Sequence, residues 1–204
     1  MKVTTKTKII RRLGMVLWPR YSKYFLRRPY PPGQKPKRKK TGLSEFGRQL
    51  QEKQKLRYLY YVSDNYLRNL VKSIITKKTL KEDPSQILLK NLEMRLDNVV
   101  LKSGFANSIF QAAQFVSHRH IKVNGKKLNI RSYRVKVGDV ISFSDKFKKS
   151  KIFQEIAKSI EKYNAPNWIE VDKKNLTAKI LREPTLEDVK LPVELSAVFE
   201  FYSK

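Results

Sequence analysis

An Asn-Gly dipeptide between two alternating segments constrains the fold more than any other feature of this sequence. Ile121-Lys122-Val123 precedes Asn124-Gly125 and Leu128-Asn129-Ile130 follows it, so that apolar and polar residues alternate on both sides. Asn and Gly tolerate the positive φ angles of a type I′ turn, and the twist of that turn matches the twist of antiparallel strands. These residues therefore predict a β-hairpin.

Other segments of the chain also alternate like short strands. They are Val135-Lys136-Val137, Val140-Ile141-Ser142-Phe143, Trp168 to Asp172, Leu176 to Leu181 and Ala197 to Tyr202. Gly138-Asp139, between the first two, predicts a second turn. The hairpin and the segments up to Phe143 thus predict a small twisted sheet that is mostly antiparallel.

Helical periodicity marks most of the chain before the hairpin and one segment after it. Apolar side chains that recur at i, i+3, i+4 and i+7 form one buried face of a helix. Ser44 as an N-cap predicts a helix that runs to Arg57, and the capping box Ser108-Ile109-Phe110-Gln111 predicts another that runs to about His118. The apolar spacing predicts helices from Ser63-Asp64 to Ile75, from Asp83-Pro84-Ser85 to Gly104, and from Ile152 to Ile160. Residues 146–150, before the last of these, are interpreted as a linker. The predicted order is thus helices first and then the small twisted sheet.

The chain carries a large surplus of positive charge. It has 45 Lys and Arg against 18 Asp and Glu, which gives a formal net charge of +27. Such a surplus favours a polyanionic partner, and a hydrophobic content of 40% argues against disorder. No segment approaches the roughly 20 apolar residues that cross a bilayer. The charge therefore favours nucleic acid over a membrane.

The first 43 residues are interpreted as a basic, extended N-terminal arm. Arginines alternate with aromatic residues there, and a proline-rich stretch precedes Lys37-Arg38-Lys39-Lys40. Because proline lacks an amide proton and fixes φ, this composition predicts no regular element. We expect the arm to become ordered against its partner.

Motifs in the same order along the chain resemble one known family. They are Pro32-Gly33-Gln34, Leu43-Ser44-Glu45-Phe46-Gly47, Arg95-Leu96-Asp97-Asn98-Val99-Val100, Val116 to Gly125, Trp168 to Asp172 and Tyr202-Ser203-Lys204. They resemble the bacterial-type family of ribosomal small-subunit protein four, which contains the RNA-binding module named after it. The resemblance covers nearly the whole chain from Pro32 onward. Since the chain has no Cys, it is similar to the branch that lacks an N-terminal zinc cluster.

The resemblance implies a two-domain protein of the α+β class. A basic arm would span residues 1–43, and a helical domain would span 44–93 and be completed by 158–204. A small α/β RNA-binding module with a twisted sheet would be inserted between them over residues 94–157.

The resemblance also implies a function and partners. The chain would be a structural constituent of the small ribosomal subunit that binds the 5′ domain of its rRNA, nucleates assembly, and contributes to translational accuracy and the mRNA entry site. Its partners would be small-subunit rRNA, ribosomal small-subunit protein five, and mRNA near the entry channel, on cytoplasmic or organellar ribosomes. No cofactor, metal, membrane or obligate homo-oligomer is expected.

Candidate rRNA contacts are basic, histidine and amide side chains, since cations neutralise phosphates and polar groups reach the backbone or splayed bases. The arm offers Arg11, Arg12, Lys35, Lys37, Arg38, Lys39 and Lys40, and the exposed side of the following helix offers Arg48, Lys53, Lys55 and Arg57. The module offers Arg95, Asn98, His118, Arg119, His120, Lys122, Asn124, Lys126 and Lys127. The family usually has Arg where Ile109 and Ala113 stand here, so these two contacts are not carried over.

Two other classes of function remain open at this point. Pseudouridine synthases carry the same module and a catalytic Asp in an Arg-Leu-Asp triplet, which Arg95-Leu96-Asp97 spells. The triplet lies within a predicted helix, and Asp97 is interpreted as a helix-surface partner of a neighbouring cation. A standalone RNA-binding regulator would not need the matching N-terminal helices. We expect a ribosomal protein and not an enzyme.

Overall fold

The computed structural model of the chain describes residues 5–33, 42–76, 82–189 and 191–203. Its helices are α1 Lys6–Leu13, α2 Ser22–Arg27, α3 Glu45–Leu59, α4 Asp64–Thr76, α5 Pro84–Glu93, α6 Leu96–Lys102, α7 Ile109–Ser117, α8 Asp145–Lys148, α9 Lys151–Ile160 and α10 Leu195–Ser203. Its strands are β1 Ile121–Val123, β2 Lys126–Lys127, β3 Val140–Phe143, β4 Ile169–Asp172 and β5 Thr177–Ile180. The predicted α+β class is confirmed.

The chain divides into two compact units, residues 1–81 with 191–204, and residues 82–190. This division differs from the predicted one, because residues 82–93 and 158–190 belong to the second unit. The reason for the later segment is strand pairing, since β5 is hydrogen-bonded to both β3 and β4.

The first unit is helical, and the C-terminal helix α10 packs against α3 and α4. Ser44 caps α3 as predicted, and its Oγ accepts the Gly47 amide at 3.2 Å. The prediction of a strand from Ala197 to Tyr202 is wrong, because these residues lie in α10. Leu195 and Val198, three residues apart on one helical face, are buried. A spacing of three residues places both side chains on one face of a helix, whereas a strand would place them on opposite faces.

The N-terminal arm contains helices where an extended segment was predicted. A 3₁₀ helix, Pro19–Tyr21, lies between α1 and α2. The arm is held partly by its own cation, because the Arg11 guanidinium donates to the carbonyl oxygens of Arg28 and Tyr30 at 3.2 and 3.0 Å. Ile10 and Leu13 of α1 are buried. The prediction of a wholly irregular arm is therefore wrong for residues 6–13 and 19–27.

The second unit contains a five-stranded antiparallel sheet in the order β2-β1-β3-β5-β4. The predicted hairpin is confirmed: Val123 pairs with Lys126, and Asn124 and Gly125 have φ angles of 47° and 78°. The predicted strands at 128–130 and 135–137 are wrong. The chain leaves the sheet after β2, and the Val135 amide donates to the Met94 carbonyl oxygen at 2.9 Å.

The long helix predicted from residue 83 to 104 is interrupted between α5 and α6. Arg95 is extended, with φ −70° and ψ 139°, and the Leu96 amide donates to the Tyr133 carbonyl oxygen at 2.9 Å. A hydrogen bond to a distant segment thus replaces one within a helix. Gly104 follows α6 as predicted, with a φ of +77°.

Aromatic side chains fill much of the core of the second unit. The Phe105 and Phe143 rings lie 4.8 Å apart, and the Phe143 and Phe147 rings lie 5.2 Å apart. Phe147 is buried and anchors α8, which occupies part of the segment predicted as a linker. Packing by this one side chain explains why a basic, polar stretch forms a helical turn.

Candidate nucleic-acid interface

The candidate cations of the first unit differ in their accessibility. Arg12 and Arg48 are exposed, whereas Lys55 is half-buried and pairs with Glu52 at 2.5 Å. Arg57, also half-buried, donates to the Gln54 Oε1 at 3.1 Å. Of the four cations predicted on the exposed side of α3, Arg48 alone is exposed.

Lys53 lies inside the first unit, so its predicted exposure is wrong. Lys53 is only 5% exposed. Its Nζ lies 3.1 Å from the Asp64 Oδ1 and 4.6 Å from the centre of the Phe201 ring. A carboxylate and an aromatic face compensate the buried ammonium. Lys53 therefore holds α3 against α4 and α10.

Five candidates of the arm fall outside the described part of the chain. They are Lys35, Lys37, Arg38, Lys39 and Lys40. Arg11, which lies within it, is engaged with backbone carbonyl groups of the arm.

Arg95, Asp97 and Asn98 form a buried polar network at the start of α6. Arg95 donates from Nε and Nη2 to the two Asp97 carboxylate oxygens at 3.0 and 2.8 Å, and the Asn98 Nδ2 donates to the Glu93 Oε2 at 2.7 Å. All of these side chains are buried, and Asp97 is 0% exposed. Asp97 pairs with a neighbouring cation as predicted, but its predicted place on the helix surface is wrong. The network positions the chain around the α5–α6 break.

A backbone turn between α7 and β1 presents the histidine-arginine candidates. Arg119 has a φ of +59°, and the His120 amide donates to the Phe115 carbonyl oxygen at 2.9 Å. A left-handed residue followed by this bond is the Schellman arrangement, which closes a helix and turns the chain sharply. As a result His118 and Arg119 are exposed, while His120 is half-buried.

The half-buried His120 ring stacks on Phe147, with ring centres 4.6 Å apart. Burial, followed by the charges of His118 and Lys146, lowers the pKa of His120 below the usual value for histidine. The unfolded chain then binds a proton more readily than the folded chain. Stability from neutral His120 is fully present above the unfolded-state pKa and is lost as the pH falls through the folded-state pKa.

Acidification should therefore lower the thermal unfolding midpoint, and His120 should carry part of this dependence. Midpoints measured between about pH 5 and 8 should fall less steeply with acidity for His120→Phe, which keeps a ring beside Phe147. Identical slopes for the wild type and the variant would show that His120 contributes nothing.

The hairpin tip presents two exposed cations beside side chains that are already engaged. Lys126 and Lys127 are exposed. The Asn124 side chain donates to the Asp139 Oδ1 at 2.8 Å and accepts the Val140 amide at 2.9 Å. Lys122 pairs with Asp145 at 2.7 Å. Asn124 thus joins two turns, and its side-chain bonds serve the fold.

Sequence reasoning missed further exposed cations of the second unit. Among them are Arg134, Lys136, Lys146, Lys148 and Lys149, which lie in loops or on α8. Composition alone could have identified them as cations, but no local pattern places them near the predicted site. Lys146 is the one whose charge acts on His120.

The described ranges contain neither a metal-binding cluster nor a membrane-spanning helix. Residues 5–33, 42–76, 82–189 and 191–203 contain no cluster of three or more His, Cys, Asp or Glu that could hold a metal ion. Across the same ranges no helix has the length and apolar character needed to cross a membrane.

Comparison with known proteins assigns the chain to a family. The family described as "Ribosomal protein S4/S9 N-terminal domain" matches residues 2–93, and the "S4 domain" family matches residues 94–141. A protein of Chlorobium limicola is 42% identical over 97% of this chain and 96% of its own length. A protein of Caldicellulosiruptor bescii is 44% identical over 88% of this chain and 85% of its own. Both are named small ribosomal subunit protein uS4.

Family membership decides between the classes of function left open by the sequence. The matches cover the N-terminal helices as well as the RNA-binding module, which a standalone module would lack. Asp97, the candidate catalytic residue, is fully buried against Arg95. The chain therefore belongs to the uS4 family of small-subunit ribosomal proteins, which are structural RNA-binding constituents of the ribosome and not enzymes.

Proposed function

We propose that the chain is a primary rRNA-binding protein that binds the 5′ domain of small-subunit rRNA and nucleates subunit assembly. The observation that carries the proposal is the group of exposed cations at the α7–β1 turn and the hairpin tip. Arg119, Lys126 and Lys127 have no protein partner within the described residues. They extend from a scaffold whose turns are fixed by backbone hydrogen bonds, which favours recognition of RNA shape.

The proposed contacts are the accessible candidates of each unit. In the first unit they are Arg12 and Arg48, with Lys55 and Arg57 at the edge of the exposed surface. In the second unit they are His118, Arg119, Lys126 and Lys127, with His120 and Lys122 partly covered. The arm cations at 35 and 37–40 are included on charge alone. Lys53, Arg95 and Asn98 act through the fold, because they are buried in ion pairs or hydrogen bonds.

The resemblance of the whole chain supports finer roles within the same proposal. These are contact with ribosomal small-subunit protein five, a place near the mRNA entry channel, and an influence on translational accuracy. Cytoplasmic ribosomes are the proposed location.

A competition experiment tests the proposal. Purified protein should bind small-subunit rRNA more tightly than a tRNA pool at each of several salt concentrations, since steep salt dependence alone is expected of any cationic protein. Arg119→Glu, Lys126→Glu and Lys127→Glu together should weaken rRNA binding by roughly tenfold or more, and should reduce the logarithmic salt slope by about 2–3.

A triple variant on α9 and just beyond it provides the matched control. Lys151, Lys158 and Lys162 are exposed, and changing each to Glu alters the net charge by the same amount. This variant should bind rRNA more tightly than the turn and hairpin variant. Equal losses would mean that net charge alone governs binding, and equal affinity of the wild type for rRNA and tRNA would contradict the proposed function.

A further inference from the structure

A cleft in the first unit lies between one face of α1 and one face of α3. Its volume is about 480 Å³, within the roughly 300–1,000 Å³ typical of sites for small ligands. From α1 it is lined by Lys8 and Arg12, which are one helical turn apart, and from α3 by Gln51, Gln54 and Tyr58. The cleft thus combines cations, amides, an aromatic ring and apolar walls.

The two cations at the cleft are available to a ligand. Lys8 and Arg12 are exposed, and neither has a partner among the described residues. The neighbouring Arg11, in contrast, donates to the carbonyl groups of Arg28 and Tyr30. Two accessible cations at i and i+4 on one helix can meet a phosphate or two consecutive phosphates.

The two glutamines offer one donor and one acceptor in fixed orientations. The Gln51 Nε2 donates to the Leu13 carbonyl oxygen at 2.9 Å, so its Oε1 is the atom left to accept. The Gln54 Oε1 accepts from Arg57 at 3.1 Å, so its Nε2 is left to donate. These two remaining groups have no other partner in the described part of the chain. A donor beside an acceptor matches the edge of a nucleobase.

Tyr58 supplies a held aromatic ring at the same cleft. Its ring lies edge-on to Trp18, with ring centres 6.5 Å apart, and the Arg57 guanidinium carbon lies 5.1 Å from its centre. A ring fixed on two sides loses little freedom when a base packs against it. Aromatic rings contact unpaired bases with little dependence on sequence.

From this combination we propose that the α1–α3 cleft binds one unpaired nucleotide of RNA, with its base between the glutamines and Tyr58 and its phosphate at Lys8 and Arg12. The inference rests on the proposed rRNA-binding function and adds a defined nucleotide site to it. Base-paired RNA does not fit the site, because its bases are stacked and their pairing edges are occupied.

Photo-crosslinking of the full chain to thiouridine-substituted small-subunit rRNA tests the site. Mass spectrometry should locate a crosslink to an unpaired nucleotide on α3 at or beside Tyr58. Gln54→Leu, which removes the free donor at nearly constant volume, should lose this crosslink and weaken binding by roughly three- to tenfold. Its thermal unfolding midpoint should stay close to that of the wild type.

A charge-reversal pair and its control separate the cleft from general electrostatics. Lys8→Glu with Arg12→Glu should weaken rRNA binding more than Arg68→Glu with Lys72→Glu, which makes the same change at the same spacing on exposed α4 positions. The nucleotide site is disproved if the two double variants lose affinity equally, or if no crosslink reaches the cleft. The proposed function still stands in either case, provided that the wild type prefers rRNA. A crosslink from the cleft to another ribosomal protein in assembled subunits would also disprove the nucleotide site. A wild type without preference for rRNA would refute the proposed function itself.

Discussion

Asp97→Asn should lower the free energy of unfolding by about 3–5 kcal/mol, because it removes the negative charge of a carboxylate that pairs with a buried arginine. Arg95 is 4% exposed and Asp97 is 0% exposed, and two hydrogen bonds of 3.0 and 2.8 Å join them. The Asp97 Oδ1 also accepts the Asn98 amide at 3.0 Å, so the carboxylate holds the first turn of α6 as well. Chemical denaturation of the wild type and the variant measures the difference.

Two further variants show whether the loss comes from the buried charge. Arg95→Met with Asp97→Leu removes both charges and should recover much of the stability, since replacing a whole buried ion pair by apolar groups is often close to neutral. Asp145→Asn breaks the Lys122–Asp145 pair, whose carboxylate side chain is 78% exposed, and should change stability little. A small loss for Asp97→Asn, similar to that for Asp145→Asn, would show that the buried pair does not stabilise the fold.

Features governed by neighbouring residues could be predicted from the sequence. The hairpin at Asn124-Gly125 and the cap at Ser44 depend on φ preferences and on a side chain three residues from an amide, so a short window contains all the relevant information. The Ser108 cap of α7 is of the same kind: its Oγ accepts the Gln111 amide at 3.3 Å. The left-handed Gly104 after α6 also follows from local chemistry.

Features governed by distant contacts could not be predicted in this way. The break between α5 and α6 depends on a hydrogen bond from Leu96 to Tyr133, and α8 depends on Phe147 packing against Phe143. In α10 the same apolar residues satisfy an alternating and a helical pattern, and packing on α3 decides between them.

The same distinction explains the outcome at the candidate site. Type and charge identified the cations, but exposure depends on the fold. Lys53 and Arg48 are both cations of α3, yet one is buried against Asp64 and the other is exposed. Arg95 was predicted to contact RNA because the sequence does not show that Arg95 and its carboxylate partner, two residues away, are both buried. Reasoning from charge therefore identifies a basic RNA-binding protein more securely than it identifies the individual contacts.

Gly104→Ala should lower the free energy of unfolding by about 2–5 kcal/mol, from backbone strain of about 1–2 kcal/mol and steric crowding of about 1–3 kcal/mol. Gly104 has a φ of +77°, and an added Cβ would lie 2.6 Å from the Tyr163 Cδ1. The ring cannot move away freely, because the Tyr163 hydroxyl donates to the Lys102 carbonyl oxygen at 3.1 Å. Denaturant unfolding of the variant measures the loss.

Gly138 is a matched control, because it combines a similar backbone with open space. Its φ is +89°, and an added Cβ would meet nothing within 4 Å. Gly138→Ala should therefore cost the strain alone, about 1–2 kcal/mol. Tyr163→Leu replaces the ring with a smaller side chain, so adding it to Gly104→Ala should relieve part of the crowding at position 104. The double variant should therefore lose less free energy of unfolding than the sum of the two single losses. Two results together would contradict the role of Tyr163: equal losses for Gly104→Ala and Gly138→Ala, and strictly additive effects of Gly104→Ala and Tyr163→Leu. Backbone conformation alone would then explain the glycine at position 104.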